Sequence, residues 1–350
     1  MLLPAPVARR KLLNWFRRQA RSLPWRGNSS PYAVWVSEIM LQQTQVATVI
    51  PYFNRFLNAF PTVESLAQAP LERVLELWSG LGYYRRARHL HQASKVILQE
   101  FGGSFPDTYE EARSLPGIGD YTARAILSIA FSVPLAAIDG NVARVIARLQ
   151  ALRGNLHQKD FRRAVAENLE PLLSRRRPGD FNQALMELGQ TICLPRGPRC
   201  CICPLREGCR ARKLGTPESF PEPRPRRASE LHYLATAVIR RGNKVALVRG
   251  LDDGLLDDLW NFPATFGPTS ARARAALEQK LEALLPGVIL RGEATGKLSH
   301  TITHRSIRVE FYEAHPRSIA HSKAARWLAP SRLPQAAVSR LARKIAEALP

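Results

Sequence analysis

Residues 215–227, GTPESFPEPRPRR, carry four prolines and no apolar periodicity, so they read as an extended, fairly stiff connector rather than part of a core. The connector divides a 350-residue chain into two halves with different patterning, each long enough for a core of its own. Before it, apolar residues recur at helical spacing. Between 31 and 60, Trp35, Ile39, Val46, Ile50, Phe53 and Leu57 form one stripe, and Glu38, Gln42 and Gln45 form a polar one. Glycines punctuate 31–212, and no stretch there alternates as a strand does. The first half is therefore expected to be all-α. After the connector, LHYLATAVIRR and KVALVRG alternate around a Gly242, Asn243 turn, 270–285 has helical patterning, and 305–314 is strand-like. This predicts an α+β second domain. The expected boundaries are 1–213 for the helical domain, 214–229 for the linker and 230–350 for the second domain.

Charge narrows the partner. The formal net charge is +22, and the simplest partner for such a field is a polyanion such as nucleic acid. No apolar run approaches the ~18 residues of a membrane-spanning helix, and no secretory signal is present. The first thirty residues carry seven Arg or Lys and no acid, which suits either a transit peptide or a DNA-facing helix. The apolar face made by Leu12, Leu13 and Phe16 favours the helix. The expected location is cytoplasmic and nucleoid-associated.

Cys193, Cys200, Cys203 and Cys209 fall at gaps of six, two and five residues, and thiolates so spaced converge on one metal centre. A disulfide framework would leave a fifth cysteine, Cys201, unpaired. Four thiolates suit tetrahedral zinc as well as an iron-sulfur cluster. The spacing favours the cluster, because zinc ribbons usually separate two close pairs by a longer stretch.

The motif LPGIGDYTA at 115–123 sets Gly117 and Gly119 in a tight turn that opens a helix. Such a turn directs backbone N–H groups outward, where they bind a phosphate without reading its base. With the cysteines, WVSEIMLQQTQV (35–46), SGLGYYRRARHL (79–90), IDGNVARV (138–145) and FNQALMELGQTIC (181–193), this hairpin resembles the helix-hairpin-helix, iron-sulfur DNA glycosylases, and among them the adenine DNA glycosylases. The resemblance covers residues 10–210 almost continuously. It implies a [4Fe-4S] cluster on the four cysteines (loop 193–209), with Cys201 given no role. It also implies a monomer acting on double-stranded DNA that contains adenine opposite 8-oxoguanine or guanine.

The resemblance further implies roles for single residues. Breaking the N-glycosidic bond needs a proton on the departing base and something to tolerate positive charge on the sugar. Glu38 matches the general acid that protonates adenine N7, and Asp139 the carboxylate that stabilises the sugar cation. Asn141 matches a residue ordering the water or the carboxylates. Tyr121 stands where the related endonuclease III group has a nucleophilic lysine, so hydrolysis without strand cleavage is expected. Trp25, Arg26, Leu41 and Gln183 match positions lining the adenine pocket, while Gln43 and Tyr83 match positions that probe the base stack after flipping. Gly117, Gly119, Arg196 and Arg199 are expected on the DNA backbone.

Residues 231–345 resemble the Nudix-like domain of the same glycosylases. The helix a Nudix hydrolase would use, ARARAALEQKLEALLPG, lacks paired glutamates, so no pyrophosphatase activity is expected. Residues 298–304 align with the family's lesion-sensing loop. Thr303 and His304 would probe 8-oxoguanine, with Ile302 in place of the usual aromatic.

Overall fold

The computed structural model describes residues 3–26, 30–223, 230–249, 259–302, 305–316 and 325–349. Its helices are α1 (Ala5–Gln19), α2 (Pro31–Leu41), α3 (Val46–Ala59), α4 (Val63–Gln68), α5 (Leu71–Trp78), α6 (Arg85–Glu100), α7 (Tyr109–Ser114), α8 (Asp120–Ala130), α9 (Gly140–Gln150), α10 (Lys159–Leu169), α11 (Pro178–Thr191), α12 (Arg210–Lys213), α13 (Ser270–Leu284) and α14 (Arg340–Glu347). The strands are β1 (Glu230–Arg241), β2 (Lys244–Arg249), β3 (Trp260–Asn261), β4 (Ala264–Gly267), β5 (Val288–Leu290), β6 (Gly296–Ile302), β7 (Arg305–Pro316) and β8 (Ala325–Leu328). Among the described residues all strands follow the linker, as the patterning predicts.

Two compact units result, Met1–Gln68 with His89–Pro225, and Ala69–Arg88 with Arg226–Pro350. The second unit thus takes in α5, which the sequence reading placed in the helical domain. Glu72 on α5 pairs with Arg249 and Arg326 and accepts a hydrogen bond from Trp260 Nε1. Ser79 Oγ donates to the Ala336 carbonyl at 2.9 Å.

In the first unit, α1, α9 and α11 share a core built on Leu12, Phe16, Val142, Val145, Phe181 and Leu185. The apolar stripe expected across 31–60 is broken at Gln42–Gln45 into α2 and α3. Its polar companion does not hold either, because Glu38 is only 7% exposed. Two glycines let α11 approach its neighbours closely. A Cβ on Gly179 would lie 2.7 Å from the Ser128 carbonyl oxygen on α8, and one on Gly189 would lie 2.6 Å from the Asn141 Cβ on α9.

The linker also differs from its reading. Phe220 is buried in the helical core, the Glu222 N–H donates to the Gly154 carbonyl at 2.9 Å, and Glu218 Oε1 accepts from the Gly197 N–H at 2.8 Å. Up to Glu222 it is laid onto the first unit rather than running free.

In the second unit, β1 pairs in parallel with β7 and antiparallel with β2, whose register Arg240↔Val245 and Arg241↔Lys244 is the hairpin expected around Gly242 and Asn243. The sheet order is β3-β2-β1-β7-β5, with β4 on β1, β6 on β7 and β8 on β2. One face packs on Leu341, Ala342 and Ile345 of α14 and the other on Ala273, Leu277 and Leu281 of α13, so successive strand residues serve opposite cores. Residues 298–302, read as part of a loop, belong to β6, and Thr303 and His304 lie outside the described residues.

The contact at Gly189 yields a test. Gly189→Ala forces α11 away from Asn141 and is expected to cost about 1–3 kcal/mol in stability, read as a lower midpoint in denaturant unfolding. An unchanged midpoint would show that the two helices can separate freely.

Candidate active site

Helices α2 and α8 and the N-terminus of α9 come together at Glu38. The carboxyl is carried on α2 between Val36, Ile39 and Met40, all buried, and Tyr121 Oη on α8 donates to Glu38 Oε2 at 2.9 Å. Burial raises the Glu38 pKa to about 7, the Tyr121 hydrogen bond opposes part of that rise, and the charge of Asp139 adds to it. Burial and the neighbouring carboxylates push the Tyr121 phenol well above its ordinary range, so it acts as a neutral donor.

Asp139 caps α9. Its Oδ1 accepts from the Val142 N–H at 2.7 Å and its Oδ2 from Asn141 Nδ2 at 2.8 Å, which fixes the carboxylate at the helix N-terminus. Asn182, fully buried, holds the segment leading to it by donating to Ser128 Oγ and the Leu135 carbonyl and accepting from the Ala137 N–H. Arg144, one turn along α9, donates to Asn141 Oδ1 at 2.8 Å, to the Gly189 carbonyl at 2.8 Å and to the Cys193 carbonyl at 2.9 Å. A continuous set of hydrogen bonds therefore runs from Asp139 through Asn141 and Arg144 to the first cysteine.

Glu38, Leu41, Gln43, Tyr121, Asp139 and Asn141 line one cleft of about 930 Å³. A recess sharing Glu38 and Leu41 with that cleft is lined by Trp25, Arg26 and Gln183. The expected catalytic set and the expected pocket set thus meet at Glu38. Gln43 is exposed at the rim and left-handed, at φ 56°, just past the end of α2. Tyr83 belongs to the other compact unit. Gly117 is exposed and left-handed, at φ 78°, and a side chain there would collide with His89. Gly119 is the N-cap of α8.

The sequence reading missed Glu187. It is 1% exposed and is clamped by Arg21 Nε at 2.6 Å, Arg21 Nη2 at 2.8 Å and Arg26 Nη2 at 2.9 Å. Burial would raise its pKa, but Arg21 and Arg26 outweigh it and hold the carboxylate below the usual range. Arg26 Nε also donates to Gln183 Oε1 at 3.3 Å, so the recess wall is one charged network. A signal was available, since Gln183, Glu187 and Gln190 share a face of α11 at helical spacing.

Cys193, Cys200, Cys203 and Cys209 line a common small cavity with Arg148, Arg206 and Arg212 and no acid. Burial raises the Cys203 thiol to about 12 and moves Cys200 and Cys209 upward, so thiolates at these three positions need positive charge beside them. Arg148 Nη1 already donates to Cys193 Sγ at 3.3 Å. Among the described residues no three His, Cys, Asp or Glu side chains are set for a single metal ion. Cys201 is exposed outside the cavity, and Arg196 and Arg199 are exposed on the loop. Among the described residues, no helix is long and apolar enough to cross a membrane.

The sequence profile described as HhH-GPD superfamily base excision DNA repair protein matches residues 36–171, and that of the NUDIX domain matches 235–348. The adenine DNA glycosylase of Rattus norvegicus is 36% identical over 397 residues, an alignment covering 96% of this chain and 77% of the rat protein. That of Mus musculus is 37% identical, covering 96% of this chain and 76% of its own length. A thermostable thymine-DNA glycosylase structure superposes with a TM-score of 0.55 at 26% identity, over 60% of this chain and 97% of its own. With alignment to these relatives along nearly its whole length, and a repair profile followed by a NUDIX profile in that order, the chain belongs to the adenine DNA glycosylases and is a base excision repair enzyme.

Proposed function

We propose that the chain hydrolyses the N-glycosidic bond of adenine mispaired with 8-oxoguanine, or with guanine, in duplex DNA, and leaves the backbone intact. The observation that carries this reading is the buried Glu38 carboxyl with its pKa near 7, a proton donor at neutral pH in the same cleft as the Asp139 carboxylate. Adenine flipped from the duplex enters the recess between Trp25, Leu41 and Met186, where Arg26 and Gln183 meet its polar edge. Glu38 gives its proton to N7, the C1′–N9 bond breaks, and the bonding electrons leave with the base. Asp139, oriented by Val142 N–H and Asn141, stabilises the positive sugar until water adds. The water's proton leaves through a carboxylate, and the products are free adenine and an abasic site. Tyr121 supplies a hydrogen bond to Glu38 and no amine, so no Schiff base forms with the sugar.

The same reading places a [4Fe-4S] cluster on Cys193, Cys200, Cys203 and Cys209. What fits is four thiols facing one cavity, a guanidinium donor to sulfur and no competing acid. Held by these four cysteines, such a cluster would brace the loop that carries Arg196 and Arg199, which with the turn at Gly117 and Gly119 meet DNA phosphates. Thr303 and His304 are assigned to the 8-oxoguanine by family resemblance. The protein acts as a monomer on nucleoid DNA.

The deciding experiment is incubation of the purified protein with a labelled duplex carrying adenine opposite 8-oxoguanine. An alkali-labile site at the adenine is expected, without a direct nick; binding with no base loss would remove the enzymatic reading, and a direct nick would remove the monofunctional one. The single-turnover rate should fall about tenfold per pH unit above about pH 7, as Glu38 loses its proton. Stability gives an independent readout. The folded Glu38 pKa lies above its ordinary 4.5, so the folded chain binds this proton more tightly than the unfolded chain does. The associated stability is complete below the ordinary value and is lost as pH rises to about 7. Glu38→Gln, with no proton to lose, should abolish excision yet unfold at higher denaturant than the parent at about pH 8, by up to roughly 3 kcal/mol; a less stable variant at that pH would contradict the buried-carboxyl account. Metal analysis should find iron and acid-labile sulfide in equal amounts, and zinc in their place would overturn the cluster assignment.

A further inference from the structure

The backbone that presents Tyr83 is strained and clamped. Gly82 (φ 78°) and Tyr83 (φ 49°) are consecutive left-handed residues, a conformation that a bulky side chain rarely keeps unless its surroundings impose it. The ring does not draw that support from a core, because Tyr83 is 47% exposed. The support comes from two buried neighbours. The Gly82 carbonyl accepts from Trp78 Nε1 at 3.1 Å and from Arg86 Nη2 at 3.1 Å, and the Arg86 N–H donates to the Tyr83 carbonyl at 2.9 Å. The Arg86 guanidinium stands 5.4 Å from the centroid of the Trp78 ring and 5.3 Å from that of Tyr83, within cation-π range of both. Trp78 is fully enclosed and Arg86 nearly so, so one ring is fixed and the cation is desolvated.

We propose that Arg86 is a positioning residue for Tyr83, holding the left-handed pair through the Gly82 carbonyl and the ring through its guanidinium, so that the aromatic face is preset to enter the base stack of a mispaired duplex. This rests on the reading of Tyr83 as a stacking residue. Preset geometry matters because an exposed tyrosine free to relax to ordinary φ values would lose conformational freedom at the moment of binding, and that loss subtracts from affinity.

A double-mutant cycle on the full chain tests it. Affinities of the parent, Arg86→Met, Tyr83→Ala and the double variant are measured for a duplex carrying an uncleavable, sugar-fluorinated adenine opposite 8-oxoguanine, and for a fully matched duplex. Each single variant is expected to lose roughly tenfold in mispair affinity with matched-duplex affinity unchanged, and the double variant to lose no more than Tyr83→Ala alone. Losses that multiply in the double variant would mean that Arg86 acts independently of Tyr83 and would overturn the proposal alone. Full mispair affinity in Tyr83→Ala would remove the stacking reading and the proposal with it. If Arg86→Met no longer unfolds cooperatively, Arg86→Lys takes its place in the cycle with the same expected coupling, because it keeps the charge but not the fork that reaches both carbonyl and rings.

Discussion

A carboxyl can be held almost out of water and remain protonated near neutrality only if nothing nearby offers it a full positive charge, and the first unit is arranged around meeting that condition for Glu38. The network of +22 net charge supplies many guanidinium groups, yet those nearest the recess are committed elsewhere. Arg21 and Arg26 are taken up by Glu187, and Arg144 by Asn141 and two carbonyls. What Glu38 receives is the neutral hydroxyl of Tyr121. Two carboxylates on one helical scaffold thus have opposite fates: Glu187 is kept ionised by its cations and Glu38 is pushed toward its acid form by desolvation.

The cleft and the cysteine loop share one helix. On α9, Arg144 and Arg148 stand four residues apart and so project from one face. Arg144 reaches the Cys193 carbonyl, and Arg148, 2% exposed, reaches the Leu194, Pro195 and Phe220 carbonyls and Cys193 Sγ. An irregular loop has few backbone partners of its own, and its buried carbonyls need donors. The same helix that presents Asp139 at its N-terminus supplies them.

Much of this was legible in the sequence because it lies in short, spaced motifs. The cysteine gaps announce side chains that do line one cavity, the LPGIGDY turn and the segment around Glu38 are likewise local patterns, and the β1–β2 hairpin is written in Gly242 and Asn243. Glu187 was not read, since a glutamate in a helix is ordinarily solvent-facing and its partners Arg21 and Arg26 are some 160 residues away. The apolar face of α5 announces that it is buried but not against what, so its place with Trp260 and Arg326 in the second unit could not be inferred from periodicity. The prolines at 217, 221 and 223 leave the segment a single 3-10 turn, Pro217–Ser219, but composition says nothing of Phe220, which is buried in the helical core.

That last contact bears on where the repair domain ends. Patterning would cut it after residue 213, at the close of α12. Arg148 Nε, however, has its acceptor at Phe220, Gly197 is tied to Glu218, and Gly154 accepts from Glu222. A fragment stopped at 213 would keep every cysteine and both cleft carboxylates while exposing the Phe220 socket and stripping the central guanidinium of one acceptor. By these hydrogen bonds the first compact unit takes in the nine residues from 214 to 222, which are part of its architecture rather than of the tether.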